Sequence, residues 1–268
     1  MVTVVKVGGS LVSEGKLENV LSDVPAALGI DRMVLVHGGG QAVTDVAERM
    51  GKKQRFITSP SGVRSRYTDR ETAEIYSMVM SGMVAKKIVT GLARHGVSAF
   101  SLSGLDGSTI RAQRKKKLLM IDERNRKVAI EGGYTGRVTG VDVSAINSLL
   151  EIGFLPVVSP VAMGEEYEIL NIDGDRAASA TAAALAADRL LFLTNVEGVM
   201  MDGKVVERLT PSEARALLPK IGAGMDKKVM GAIEAVEGGV KACIISSGSR
   251  PNPVSTTLKA QGGTVISR

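Results

Sequence analysis

The sequence of 268 residues contains few cysteine, histidine and aromatic residues, from which zinc sites, disulfide frameworks and aromatic binding surfaces are built. It has one cysteine and two histidines, which exclude an internal disulfide and a Cys/His zinc site. Aromatic residues make up 3% and tryptophan is absent, which argues against a stacking platform for single-stranded nucleic acid. No apolar run approaches the roughly 20 residues of a membrane span. We therefore expect no metal centre, no nucleic-acid partner and no membrane segment.

The single cysteine also bears on the compartment. Cys243 lies in the apolar run Lys-Ala-Cys-Ile-Ile, which predicts an inert core residue. The first predicted strand begins at residue 2, and no basic-then-apolar leader precedes it. We therefore expect a cytoplasmic protein.

The composition is otherwise that of a globular protein. Hydrophobic residues make up 44% and charged residues 23%, and the length suffices for one large domain or two lobes. The net charge of +6 predicts a partner or substrate of negative charge.

Predicted strands alternate with predicted helices, which indicates an α/β sandwich with a mostly parallel central sheet. The main strands are predicted at Val2–Val7, Met33–Val36, Ser98–Leu102, Phe154–Val158, Leu190–Thr194 and Ala242–Ser246. Helices are predicted at Lys16–Gly29, Asp69–Arg94, Val143–Ile152, Ala177–Ala187, Ser212–Leu218 and Lys227–Glu237. In the long helix from Asp69, Met78 and Met83 are predicted to face inward, and Thr68-x-x-Glu71 fits a capping box.

Glycine-rich loops follow the first two strands. Gly8-Gly9 comes after the first strand and His37-Gly38-Gly39-Gly40 after the second, although neither loop matches a Walker A or dinucleotide fingerprint. Lys6 lies inside the first strand, where a lysine is costly unless it reaches a negative group. His37 allows two interpretations, a base or a hydrogen-bonded scaffold residue, and its place before the glycines favours the scaffold.

Two more polar segments follow predicted strands, at Asn171–Asp175 and at Thr194-Asn195. Ligands of open α/β sheets lie beyond the carboxyl ends of the strands. Together with the late segment Gly224-Met225-Asp226-Lys227-Lys228, these loops predict phosphoryl transfer, which needs positioning and charge neutralisation above all.

Four motifs in this order, Val-Lys-Val-Gly-Gly-Ser, Val-His-Gly-Gly-Gly, Asn-Ile-Asp-Gly-Asp and Gly-Met-x-x-Lys, resemble the amino acid kinase family and its acetylglutamate kinase branch. The resemblance covers nearly the whole chain. It implies a three-layer αβα sandwich whose N-terminal part, about residues 1–172, binds a carboxylate substrate and whose C-terminal part, about 173–268, binds ATP with Mg²⁺ held through the nucleotide. It also implies a homodimer.

The same resemblance implies roles for particular residues. Lys6 and Lys228 would stabilise the transferring phosphoryl group, and Asp175 would hold both lysines in place. The substrate would be bound by Arg66, with Arg64 as the alternative, and by Gly39, Gly40 and Asn171. The nucleotide and its phosphates would be bound by Gly8, Gly9, Thr194, Asn195, Gly224 and Met225. Asn195 departs from the family's usual aspartate, which leaves the role of position 195 open.

A closer resemblance involves the segment from Arg111 to Arg137. The run Ser-Gly-Val-Arg-Ser-Arg-Tyr-Thr-Asp, a predicted basic hairpin and Gly-Gly-Tyr-Thr-Gly-Arg137 are similar to archaeal LysW-aminoadipate and LysW-glutamate kinases. This implies a substrate amino acid carried on the C-terminus of a small acidic carrier protein. The carrier would contact Arg111, Arg114, Lys115, Lys116 and Lys117, with Arg124, Arg126 and Lys127 on the returning strand. A plain solvated face is the alternative interpretation of these charges.

Two other functions stay open at this point. An N-acetylglutamate kinase of arginine synthesis would share every catalytic residue without needing the basic hairpin. A non-catalytic nucleic-acid-binding protein would use the basic face, but the glycine loops and the few aromatic residues argue against it. Glutamate and aminoadipate differ by one methylene, so their preference is not encoded in the motifs. Because no helix precedes the first strand, we expect no strong inhibition by arginine.

Overall fold

A computed structural model describes residues 1–60, 62, 64–222, 224–259 and 261–268. Ser61 and Val63 of the predicted polar loop, and Ala223 before the late helix, lie outside the described residues. No helix within these ranges is long and apolar enough to cross a membrane.

The strands are β1 (Val2–Val7), β2 (Arg32–His37), β3 (Phe56–Thr58), β4 (Arg64–Arg66), β5 (Ala99–Gly104), β6 (Ile110–Arg114), β7 (Lys117–Ile121), β8 (Lys127–Glu131), β9 (Gly136–Val141), β10 (Leu155–Gly164), β11 (Ile169–Asn171), β12 (Arg189–Thr194), β13 (Met200–Met201), β14 (Lys204–Val205), β15 (Arg208–Leu209), β16 (Ala242–Ser247) and β17 (Thr264–Ser267). The α-helices are α1 (Gly9–Ser13), α2 (Leu17–Leu21), α3 (Val24–Leu28), α4 (Gly40–Arg49), α5 (Arg70–Ser77), α6 (Ala85–Arg94), α7 (Ser144–Glu151), α8 (Gly174–Ala184), α9 (Pro211–Leu217), α10 (Met225–Glu237) and α11 (Pro253–Leu258). A π-helix (Met78–Val84) joins α5 to α6, and short 3₁₀ turns cover Asp106–Ser108 and Leu218–Lys220.

The central sheet has the strand order β15-β17-β16-β12-β1-β2-β10-β6-β9, and β5 and β11 also pair with β10. The pairs around β1 are parallel, with Val7 beside Leu193 of β12 and His37 of β2. The carboxyl ends of β1, β2 and β12 therefore meet at one edge of the sheet, which brings the loops that follow them together.

Helices cover both faces of this sheet. Val4 of β1 belongs to a core shared with α7 to α10, whereas Val5 and Val7 belong to a core shared with α1 to α6 and α11. Both faces of the central strands are thus buried, as their continuous β-branched sequence predicts. The predicted three-layer sandwich is confirmed.

The alanine-rich helix α8 packs closely on this framework. Ala177, Ala178 and Ala182 are fully buried, as predicted. A Cβ at Gly231 of α10 would lie 2.9 Å from Ser179 Oγ of α8. The small residues let α8 and α10 approach closely, and the first turns of these two helices carry the polar side chains described below.

The predicted helix Lys16–Gly29 is wrong as a single element. It is divided at Ser22 and Asp23, because the buried Asp23 carboxylate accepts hydrogen bonds from the backbone N–H groups of Val254 and Ser255 at 2.7 and 2.8 Å. This carboxylate caps α11, a helix that the periodicity did not predict.

The long helix from Asp69 also differs from the prediction. Its N-cap is Asp69, which accepts from the Thr72 backbone N–H, so the capping box from Thr68 is wrong. The π-helix widens the turn at Met78–Val84, and Met78 and Met83 are 55% and 46% exposed instead of facing inward. A periodicity that assumes a uniform α-helix misses this shift in register.

Candidate active site

The most buried ionic arrangement joins β1 to the first turns of α8 and α10. Lys6 Nζ lies 2.7 Å from Asp175 Oδ1, and Lys228 Nζ lies 3.3 Å from Asp175 Oδ2. The side chains of Lys6, Asp175 and Lys228 are 8%, 7% and 16% exposed. The cost of a lysine inside a core strand is therefore offset by a carboxylate, as the sequence required.

Burial on its own would raise the pKa of Asp175. Lys6 and Lys228 outweigh burial and hold the pKa below its ordinary value. The carboxylate is therefore ionised at neutral pH and bridges the side chains of the two lysines.

Asp173 fixes the position of Asp175. Its carboxylate caps α8 by accepting hydrogen bonds from the backbone N–H groups of Asp175 and Arg176 at 2.9 and 3.1 Å. It also lies 3.9 Å from Lys227 Nζ. The sequence carries a signal for this role, an aspartate directly before a helix, whereas the family resemblance assigns a role only to Asp175.

The two glycine loops touch each other beside Lys6. A Cβ at Gly38 would lie 2.7 Å from the Gly9 backbone nitrogen, and a Cβ at Gly9 would lie 3.0 Å from that of Gly39. Any side chain at Gly9 or Gly38 would push the loops apart. The loops therefore form a backbone cradle at the starts of α1 and α4, where N–H groups lack intrahelical acceptors.

His37 is part of this scaffold. It is fully buried, with Nδ1 3.0 Å from the Gly38 carbonyl oxygen and Nε2 2.9 Å from Ser159 Oγ. Burial, with a smaller contribution from the nearby charge of Lys6, lowers its pKa to about 4. A neutral ring engaged at both nitrogens supports the scaffold interpretation over that of a base.

A cleft of about 1100 Å³ opens above these groups. Lys6 and Asp175 lie on its wall together with the glycine loops, the β3–β4 hairpin and the first turn of α10. Arg66 projects into it from β4 and donates to the Gly40 carbonyl oxygen at 2.7 Å, to Thr44 Oγ1 at 2.8 Å and to Gln54. A guanidinium has five N–H donors. Two of them therefore have no acceptor within the described part of the chain.

Comparison with known proteins agrees with this geometry. A model of the amino acid kinase family matches residues 1–247. The chain belongs to the amino acid kinase family. The resemblance inferred from the four motifs is confirmed, and the protein is a kinase that uses ATP.

Relatives of the kinase match it over almost its entire length. A protein of Cenarchaeum symbiosum (strain A) is 53% identical over 266 residues, 99% of each chain. A Saccharolobus islandicus protein named LysW-aminoadipate/LysW-glutamate kinase is 46% identical over 264 residues, 98% of each chain. The crystal structure of smu.665 from Streptococcus mutans UA159 superposes with a TM-score of 0.77 at 27% identity, covering 99% of the kinase and 98% of that chain.

The predicted substrate residues come together in the kinase. Gly39, Gly40, Arg64, Arg66 and Asn171 all line the cleft. Arg64 is exposed, with its guanidinium carbon 4.3 Å from the centroid of the Phe56 ring, whereas Arg66 is half-buried and anchored on α4. Asn171 donates from Nδ2 to Thr68 Oγ1 at 2.9 Å.

The predicted nucleotide residues are more dispersed. Thr194 ends β12 beside Gly8, with its Cα 3.7 Å from a Cβ built at Gly8. Thr194 is buried and Asn195 exposed, and neither lines the cleft. Gly224 takes a positive φ of 93° directly before α10, which begins at Met225. Among the residues that the structure describes, no group of three or more His, Cys, Asp or Glu side chains could hold a metal ion.

Four residues that line the cleft were not predicted from the sequence to do so, one on α5 and three in the basic segment. Tyr76 is buried and its hydroxyl lies 3.3 Å from the Pro160 carbonyl oxygen, behind the substrate side of the cleft. Lys115, Leu118 and Leu119 form part of the cleft wall. β7 of the basic hairpin therefore borders the cleft that contains Lys6.

The structure confirms the basic hairpin, which consists of β7 and β8. Lys117 of β7 pairs with Glu131 of β8 at one end of the hairpin, and Ile121 pairs with Lys127 at the other end. Arg126 pairs with Asp122 at 2.8 Å and Arg114 with Glu131 at 3.7 Å. The other cationic side chains of the segment have no carboxylate within 4.0 Å in the described ranges, namely Arg111, Lys115, Lys116, Lys117, Arg124 and Lys127. Their charge is available to a partner.

Proposed function

We propose that this kinase transfers the γ-phosphoryl group of ATP to the side-chain carboxylate of 2-aminoadipate, glutamate or both, with the amino group of the substrate linked to a carrier protein, in lysine and arginine biosynthesis. The observation that carries the proposal is the buried Asp175 carboxylate held between Lys6 and Lys228 at the wall of a cleft that Arg66 enters. The name of the Saccharolobus islandicus relative supports this substrate class.

Lys6 and Lys228 act on the charge that develops during the transfer. As the substrate oxygen attacks the γ-phosphorus and the bond to ADP breaks, negative charge spreads over the phosphoryl oxygens. Two ammonium groups fixed by one carboxylate stabilise that charge without having to reorganise. Asp175 is a positioning residue in this scheme, since it touches the lysines and not the reacting atoms.

Arg66 binds a carboxylate of the amino acid. Its remaining N–H donors and its anchoring on Gly40 and Thr44 suit a fixed guanidinium–carboxylate pair. Arg64 is the alternative, because it lines the same cleft two residues earlier. Gly39, Gly40 and Asn171 bind the remaining polar atoms of the substrate.

The nucleotide lies on the C-terminal side, so residues of about 1–172 bind the amino acid and about 173–268 bind ATP. Gly8 and Gly9 are the exception from the N-terminal part, because they bind the phosphates of ATP through the backbone cradle. Thr194, Asn195, Gly224 and Met225 border the nucleotide farther out. Mg²⁺ arrives with ATP, bound mainly by its phosphates and water.

The carrier docks on the basic segment. Arg111, Arg114, Lys115, Lys116 and Lys117 lie on or between β6 and β7, next to the cleft. An acidic protein bound there would present its amino acid to Lys6 from the side of Arg66. The net charge of +6 agrees with such a partner.

A homodimer is the expected assembly. Met78 and Met83 on the π-helix and Phe100 on β5 are 55%, 46% and 50% exposed, and α6 packs against β5. These side chains offer an apolar surface for a second copy. Light scattering of the wild type and of Phe100→Glu tests this, with a monomeric wild type contradicting it.

One assay tests the function most directly. Kinase turnover is measured side by side with carrier-linked aminoadipate, carrier-linked glutamate and free N-acetylglutamate. Preference for either carrier-linked substrate supports the proposal. Preference for N-acetylglutamate would assign the chain to plain acetylglutamate kinase chemistry, and no turnover with any carboxylate would contradict both.

A further inference from the structure

Three neutral oxygen atoms hold the guanidinium group of Arg66. It donates to the Gly40 carbonyl oxygen at 2.7 Å, to Thr44 Oγ1 at 2.8 Å and to the side-chain amide oxygen of Gln54. Arg66 has no carboxylate within 4.0 Å in the part of the chain that the structure describes. The guanidinium is therefore fixed in place while its positive charge stays unpaired.

Gln54 lies behind the cleft and not in it. Its side chain is half-buried, and Gln54 does not line the cleft, whereas Arg66 does. Its amide nitrogen Nε2 donates to the Lys52 carbonyl oxygen at 3.4 Å, so both ends of the amide group are engaged. Gln54 can therefore act on a molecule in the cleft only through Arg66.

The two carboxylates that follow Arg66 in the sequence are bound by a lysine. Lys52 Nζ lies 2.8 Å from Asp69 Oδ2 and 2.7 Å from Glu71 Oε2. These hydrogen bonds raise the pKa of Lys52 above its ordinary value. Asp69 also accepts from the Thr72 backbone N–H as the N-cap of α5. The nearest acidic side chains of α5 are thus paired with Lys52 and leave Arg66 free of an internal carboxylate.

An unpaired guanidinium at the cleft is costly for the fold and useful for binding. Burial lowers the pKa of Arg66 below its ordinary value, as expected for a cation without a paired carboxylate. A carboxylate at position 54 would form a charge-assisted pair with Arg66 and compete with any carboxylate that enters the cleft. An amide orients the guanidinium without this competition.

We propose that Gln54 is a positioning residue, which orients Arg66 through a neutral hydrogen bond and so keeps the charge of Arg66 available to the carboxylate of the substrate. Lys52 supports this role by binding the carboxylates of Asp69 and Glu71. The inference rests on the proposed role of Arg66 in binding the amino acid.

Two substitutions of Gln54 separate charge from hydrogen bonding. Gln54→Glu keeps an acceptor for Arg66 and adds a negative charge, whereas Gln54→Met keeps the length of the side chain and removes the acceptor. We expect Gln54→Glu to raise KM for the amino acid substrate about tenfold, because the new carboxylate competes for Arg66. Gln54→Met should raise it by only about threefold, the effect of one lost neutral hydrogen bond.

In both variants kcat and KM for ATP should stay within about twofold of the wild type, since Gln54 does not reach the reacting atoms. Gln261→Glu, at an exposed glutamine near the C-terminus, is the matched control and should leave all three constants unchanged. A larger effect of Gln54→Met than of Gln54→Glu would overturn the inference, because the hydrogen bond alone would then matter. An equal rise in KM for ATP would overturn it as well.

Lys52 provides a second test that leaves Gln54 intact. Lys52→Met releases the carboxylates of Asp69 and Glu71 beside Arg66, so we expect KM for the amino acid substrate to rise about threefold. Lys53→Met removes the exposed neighbouring lysine and is the matched control. The same KM in Lys52→Met as in Lys53→Met would overturn the part of the proposal that concerns Lys52.

Binding measurements in an Arg66→Ala background separate failure of this inference from failure of the proposed function. Calorimetry gives Kd for carrier-linked aminoadipate and for N-acetylglutamate without turnover. We expect Gln54→Glu to weaken binding in the wild type and to add no further loss in Arg66→Ala. Equal losses in both backgrounds would overturn the inference and leave the role of Arg66 intact. An unchanged Kd in Arg66→Ala itself would contradict the proposed role of Arg66.

Discussion

The Asp175 carboxylate lies 2.7 Å from the Lys6 ammonium, and both side chains are almost entirely buried. Lys6 lies one residue before the end of the first strand and Asp175 lies in the first turn of α8, so the pair ties the start of the chain to the beginning of its C-terminal part. Lys228 reaches the other carboxylate oxygen from α10. The reaction centre is therefore assembled only when the whole sandwich has folded.

Lys6→Ala and Lys228→Ala should each lower kcat by a factor on the order of 10² or more, with a modest change in KM. The reason is that the two lysines stabilise the transition state more than the bound substrates. Lys227→Ala is the matched control. Its ammonium lies 3.9 Å from Asp173 and does not reach Asp175, so we expect near-normal kcat. Steady-state kinetics decides, and an unchanged kcat in either lysine variant removes that residue from the mechanism.

Arg66→Ala should raise KM for the amino acid substrate far more than KM for ATP, because it removes a bidentate pair with the substrate carboxylate. Arg66→Lys should not restore binding, since an ammonium lacks the planar fork. Arg64→Ala is measured alongside. If it shows the selective effect and Arg66→Ala does not, the two arginines exchange roles.

Asp173→Ala should lower kcat by about tenfold or more by loosening the first turn of α8, which carries Asp175. An N-cap is worth about 1 kcal/mol, and asparagine caps as well as aspartate. Asp173→Asn should therefore restore most of kcat, although it removes the charge near Lys227. If asparagine is as damaging as alanine, the charge of Asp173 matters more than its capping.

Reversing charge on the basic hairpin separates a docking surface from a solvated face. Lys116→Glu with Lys117→Glu should lower kcat/KM for the carrier-linked substrate, and the loss should shrink as salt rises. Activity on a small acetylated amino acid, where present, should stay near its starting value, since neither side chain lines the cleft.

The control for that experiment is the double reversal of Lys204 and Lys259, two exposed lysines outside the segment. Isolated surface charges contribute little to stability, so both double variants should fold. Equal effects on carrier-linked and small substrates, or none on the carrier-linked form, would contradict the carrier hypothesis.

His37 should make the stability of the kinase depend on pH. Burial lowers its pKa to about 4 from an unfolded value of 6.5, so the unfolded chain binds the extra proton first as pH falls. Stability from the neutral ring is present above about pH 6.5 and is lost as pH falls toward 4, by about 2 kcal/mol at pH 5 relative to pH 7. Urea unfolding at both pH values checks this, and His37→Gln should remove that part of the difference.

Much of the fold could be predicted because its signals are local. The β-branched composition of Val2–Val7 and the alanine-rich composition of α8 each predict that the element is buried. The glycine loops directly follow their strands, at the edge of the sheet where ligands bind. Lys6 was informative for a physical reason, because an ionisable group in a core strand demands a partner.

The remainder depends on contacts between distant parts of the chain. The break at Asp23 is set by α11, and the capping role of Asp173 gains its importance only from the lysines around Asp175. Lys115 lines the cleft because it directly follows β6, and the pairing of β6 with β9 places it there. No local sequence pattern predicts this pairing.

The π-helix at Met78–Val84 has a consequence for how the chain tolerates changes in length. An α-helix turns by about 100° per residue, and a π-helix, whose hydrogen bonds span i→i+5, turns by less, so a π-helical turn holds one extra residue without rotating the helical segments on either side of it. Deleting one residue from Met78–Val84 should therefore return this stretch to α geometry and leave the buried Ile88 and Leu92 of α6 facing the core. The same deletion inside α6 would rotate every residue after it by about 100°, so the wide turn is where this helix tolerates the loss of a residue.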